Sequence, residues 1–97
     1  MSVGRFRKKP VEVEAIRWTG DNEAEVVAFT GRGMFNALDE DDREHADDPE
    51  WTAQVFDDLH STWVGVYTGQ WIIRGVKCEF YPCAPDVFAE TYEEVPT

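Results

Sequence analysis

The residues of this chain best suited to recognition or catalysis fall into two groups. From Asp39 to Glu50 there are eight carboxylates and one arginine, a local net charge of −7. Asp39, Glu40, Asp41, Asp42, Glu44, Asp47 and Asp48 belong to this run. Nearer the C-terminus, Trp63, Trp71 and Tyr81 are interspersed with the cations Arg74 and Lys77. Aromatic faces with positive edges could stack a base or a nucleotide. Each group also has a plainer explanation. Core packing explains aromatics at these positions more simply, and a solvated, mobile loop explains a run of acids more simply.

Catalytic constellations are missing from the sequence. Acid–base work needs two carboxylates held rigidly in different environments, and a mobile acidic loop supplies neither condition. The run Asp39-Glu40-Asp41-Asp42-Arg43-Glu44 lacks the central glycine of a calcium-binding loop. Cys78 and Cys83 match no zinc or redox spacing, and His45 and His60 do not complete a ligand set. On one strand the two cysteines would stand about 16 Å apart, whereas a disulfide needs Cα atoms about 4.4–6.8 Å apart. Free, mostly buried thiols in a reducing compartment are expected. Gly31-Arg32-Gly33 lacks the spacing and the preceding strand of a phosphate cradle, and Ser2 and Ser61 sit in no nucleophile elbow. The expectation is a protein with no catalytic residue, no cofactor and no metal.

Charge narrows the partners. The net charge is −11, yet residues 1–10 hold four of the nine basic groups and no acid. An acidic body repels nucleic-acid phosphates and suits a basic partner, itself a candidate nucleic-acid-binding protein. No apolar run approaches the roughly 18–20 residues of a membrane span, and the charged start is followed by no apolar signal core. Neither direct nucleic-acid binding nor membrane insertion is expected.

The elements that must position these groups can be read from periodicity. Val11 to Ile16 alternates between two faces, so 10–18 reads as a half-buried strand opened by Pro10. Asn22 and Glu25 have capping-box spacing for a helix over 22–30, stopped by Gly31 or Gly33. Residues 34–38 read as a short strand. Asp48-Pro49-Glu50 has the order of a helix start, and Trp51, Val55, Phe56 and Leu59 follow at helical spacing. A helix over 49–60 is therefore expected, with His60 at its C-terminal end. Residues 62–67 and 70–75 read as strands. A loop over 75–78 would lead back into a strand at 79–83, with Arg74 facing Glu79 and Pro82 marking a sheet edge. Residues 85–92 read as a helix with Phe88 and Tyr92 on one side.

The stretches "RKKPVEVEAIRWTGDN" and "LHSTWVGVYTGQWIIRGVKCEFYPCAPDVFAETYE" resemble the PGDYG-type family of small tailed-bacteriophage and prophage proteins. The resemblance covers both ends of the chain and leaves out the acidic middle. It departs at Gln70, where relatives carry Asp, and at Cys78, where they carry Gly. A Gly at 78 would suit a positive φ, so Gly75 is the candidate for that conformation here. The resemblance implies a phage origin and residence in a host bacterial cytoplasm, and it supplies no activity.

The expected architecture is a single α+β domain over 1–97, with a basic arm at 1–9 and an acidic loop at 39–48. A small antiparallel sheet of 10–18, 62–67, 70–75 and 79–83 would be covered by the 49–60 helix. The expected function is non-enzymatic binding of a host or phage macromolecule, with the acidic loop as inhibitor or nucleic-acid mimic. The alternative is a small-molecule or nucleotide-binding module built on Trp63, Trp71, Arg74, Lys77 and Tyr81. The chain would be a monomer or a homodimer.

Overall fold

Alternation of apolar and polar residues along short segments builds most of this α+β fold. The computed structural model describes residues 3–7 and 9–96. Met1, Ser2 and Lys8 of the basic arm lie outside the described residues. In chain order the elements are β1 (Glu14–Arg17), α1 (Glu23–Thr30), β2 (Phe35–Ala37), α2 (Glu40–Glu44) and β3 (Ala53–Asp57). After these come β4 (Thr62–Val66), β5 (Trp71–Arg74), β6 (Phe80–Cys83) and α3 (Pro85–Thr91).

The strands form two antiparallel three-stranded sheets, ordered β1-β5-β6 and β2-β3-β4. The first joins the C-terminal hairpin to the N-terminal strand, which covers only Glu14–Arg17 of the expected 10–18 and does not begin at Pro10, because β5 offers partners only from Trp71 to Arg74. Pro82 lies on β6 at its edge, where a missing N–H disturbs no further strand. The 62–67 segment is a strand, but β4 pairs with β3 in the second sheet and not with the hairpin.

The expected helix over 49–60 is absent. Val55 opposes Val64, Phe56 opposes Trp63 and Asp57 opposes Thr62, with Ala53, Val55 and Asp57 facing inward. The period over 53–57 is therefore two, not 3.6. Asp48 does accept a hydrogen bond from the Glu50 amide, as a helix cap would, but the turn ends after Trp51, whose amide reaches Asp48 O. Thr52 N then donates to Val66 O and the strand begins. His60 stands in the turn between β3 and β4, where its Nδ1 lies 2.7 Å from the Asp57 carboxylate.

Trp18 joins the two sheets. It is 1% exposed, packs edge-on against Phe35 at 5.1 Å, and donates from Nε1 to Thr52 Oγ1 at 2.9 Å. Val26 of α1, Val55, Val66, Ile72 and Phe80 complete one core between the sheets. Asn22 does not cap α1 with its side chain. Its Oδ1 accepts from Thr19 N and its Nδ2 donates to Arg17 O, which fixes the turn from β1 into the helix. Gly31 ends α1 at φ 103°.

The hairpin at 70–83 forms with a different register from the expected one. Arg74 opposes Phe80, so the loop runs over 75–79 and Glu79 belongs to it. The Glu79 carboxylate folds across the loop to accept from Lys77 N at 2.9 Å. Cys78 itself takes the left-handed conformation, φ 63°, and Gly75 does not. Cys78 is also exposed and Cys83 half-buried, so the thiols are less buried than expected.

Candidate functional site

The five residues expected to form an aromatic site point in different directions. Trp63 lies on the outer face of β4 with 41% exposure, edge-on to Phe56 at 5.3 Å. Arg74 faces α1. Its guanidinium sits 5.0 Å from the Phe29 ring and 5.5 Å from Phe80, and donates to Glu14 Oε1 and to Phe29 O. That cation is committed to joining β5, β1 and α1. Lys77 is exposed in the hairpin loop. Only Trp71 and Tyr81 share a neighbourhood, on the sheet face under α3.

There Trp71 stacks on Phe88, centroids 4.3 Å apart and planes within 8°. Phe88 in turn contacts Tyr92 at 5.1 Å. Burial, then the Tyr92 hydroxyl and nearby negative charge, push the Tyr81 phenol up to about 12. Beside this stack lies an open groove of about 850 Å³. Val11, Val13 and Ala15 form one wall, Trp71, Phe88 and Tyr92 the other, and Glu12, Glu93 and Glu94 bring carboxylates to it. Among the described residues no Lys, Arg or His lines it. The spacing of Phe88 and Tyr92 was a usable sequence signal for one wall. The acids at 12, 93 and 94 lie at the two ends of the chain, and only the fold brings them together.

The acidic run is better ordered than a mobile loop. Asp39 caps α2 through a reciprocal pair: Asp42 N donates to Asp39 Oδ1 at 2.8 Å, and Asp39 N donates to Asp42 Oδ2 at 3.3 Å. Arg43 Nε reaches Pro49 O at 3.1 Å, and His45 Nδ1 meets Asp41 O at 2.9 Å. Tyr67 donates its hydroxyl to Asp48 Oδ2, anchoring the end of the segment to the second sheet. That bond, followed by the Glu50 amide, holds the Asp48 carboxyl below the ordinary value of 3.8. Glu40, Asp41, Glu44 and Asp47 remain exposed.

No family model, curated protein or solved structure matches this chain. Function must therefore be argued from the surface itself. Among the described residues no three His, Cys, Asp or Glu side chains gather closely enough to hold a metal ion. No helix among them is long and apolar enough to cross a membrane.

Proposed function

We propose that this chain is a non-enzymatic binding protein that presents the acidic segment 39–50 to a basic macromolecule. The partner class is a protein with a cationic groove, such as a nucleic-acid-binding protein of a host bacterium or phage. Bound there, the segment would act as an inhibitor or nucleic-acid mimic in the bacterial cytoplasm. The observation that carries this reading is the clamping of the segment at Asp39, Arg43 and Asp48. Ordered carboxylates lose less conformational entropy on binding than carboxylates on a mobile loop, and they offer a fixed charge pattern.

The nucleotide-binding alternative gains little support. Phe88 covers a face of Trp71, Arg74 is engaged elsewhere, and the charged side chains that line the nearby groove among the described residues are all carboxylates. Such a groove repels a phosphate.

The test replaces Glu40, Asp41, Glu44 and Asp47 with Lys, leaving every clamp residue in place. Partners captured from a bacterial lysate by the original chain should be lost by the variant. Their binding should also weaken with salt, since exposed charges are screened beyond about 10 Å at 0.1 M. A specific partner retained by the variant at low ionic strength would refute the acidic-surface reading.

A further inference from the structure

The basic arm and the acidic groove are complementary in charge. The groove wall is apolar and aromatic, with Glu12, Glu93 and Glu94 as its only ionisable side chains apart from Tyr92 among the described residues. The arm reads Val3-Gly4-Arg5-Phe6-Arg7-Lys8-Lys9. Val3 is 91% and Phe6 94% exposed, and Arg5, Arg7 and Lys9 are exposed around them. An isolated exposed phenylalanine between arginines fits an aromatic slot lined with carboxylates, where ring packing and charge pairing act together.

The arm leaves the groove at Pro10, which belongs to the groove wall. Pro10 restricts Lys9 to extended conformations. From Lys9 to Val13 the chain makes no turn. The described arm residues 3–7 and 9 are all exposed, so none of them is buried in the chain's own groove. Among the described residues β1 pairs on one side only, with β5, and no further strand lies at that edge of the sheet.

We propose that the groove is the docking site for residues 3–9 of a second copy of this chain. The exchange is reciprocal: each copy places its Phe6 in the other's groove and its arginines against Glu93 and Glu94, giving a two-fold dimer. Charge does not oppose it locally. Residues 1–10 carry four positive charges, while residues 11–97 hold five basic and twenty acidic groups, net −15.

The experiment places the photo-cross-linker p-benzoylphenylalanine at position 6 of the full chain, in an equal mixture of light and ¹⁵N-labelled protein. The expected product is an interchain cross-link of mixed isotope composition, mapping to residues 10–15 or 88–95. Sedimentation should show a concentration-dependent dimer. An intrachain product in the groove would mean that each arm serves its own chain and would overturn the proposal. So would a product mapping elsewhere, or a monomer with no cross-link. Arg5→Glu with Arg7→Glu should lower the interchain yield about tenfold, as attraction becomes repulsion. Adding Glu93→Lys and Glu94→Lys should restore it, which a misfolded variant would not do. Failure of that rescue would remove the charge pairing from the proposal.

Discussion

Asp48 holds the acidic segment to the second sheet through the Tyr67 hydroxyl, and the same bond lowers its pKa. Asp57 is depressed likewise, chiefly by the His60 ring, with the Leu59 and His60 amides adding to it. A carboxyl whose folded value lies below its unfolded one stabilises the fold above the ordinary 3.8. That contribution is lost as pH falls through the lower, folded value. Tyr67→Phe should therefore flatten the fall of Tm below about pH 4, with little change in the slope near neutrality. Thermal melts at a series of pH values would check it; an unchanged acid limb would show that the bond carries no linkage. Cys78 supplies a second residue-scale prediction. A non-glycine at φ 63° costs about 1–2 kcal/mol, partly offset by the 0.5–1 kcal/mol of chain entropy that glycine adds. Cys78→Gly should then raise stability by up to about 1 kcal/mol in denaturant unfolding. A loss would mean that the loop holds this conformation without strain. The expected transfer of the left-handed conformation to Gly75 fails. Glu79 explains why: it folds over Gly75 and fixes the loop differently.

At the scale of elements, the segment 49–60 shows where sequence reading succeeded and where it did not. Trp51, Val55, Phe56 and Leu59 satisfy a helical period, while Ala53, Val55 and Asp57 satisfy a strand period. Five residues are too few to separate the two. The decision comes from β4, whose complementary alternation gives β3 a partner at every position from Ala53 to Asp57. That pairing is a tertiary fact and outweighs the local helix signals at Asp48-Pro49-Glu50. By contrast α1, α3 and the C-terminal hairpin were legible as elements, although Asn22 does not cap α1 with its side chain and the hairpin register differs from the expected one. Gly65 is the point at which β4 accommodates the preceding segment. A Cβ built there would stand 2.0 Å from Trp51 Cδ2, so the indole occupies the space that a side chain would need. Gly65→Ala should cost about 1–3 kcal/mol, the usual range for overpacking. It should also shift the Trp51 emission as the ring is displaced. Combining it with Trp51→Ala should cost less than the two single losses added, because the clash needs both groups. Strict additivity would place the strain elsewhere.

Across the whole molecule, both three-stranded sheets contribute to one shared core, Ile72 and Phe80 from the first and Phe35, Ala53, Val55 and Val66 from the second. Trp18 is the side chain that makes them one unit. It follows β1, hydrogen-bonds through its backbone to Gln70 and Gly69 beside β5, and hydrogen-bonds through its indole to Thr52 beside β3. The candidate surfaces depend on that union in different ways. The groove belongs to the first sheet and α3, whereas Asp48 is anchored by Tyr67 from the second. Thr52→Val should leave the indole N–H without an acceptor inside the core and cost about 1–3 kcal/mol. If the sheets form one cooperative unit, this loss should appear equally in the hydrogen exchange of the most protected amides in β3 and β5. A fall confined to β3 would mean that the second sheet opens on its own. In that case the acidic segment would be released while the groove stayed closed, and the two surfaces would act as separable modules.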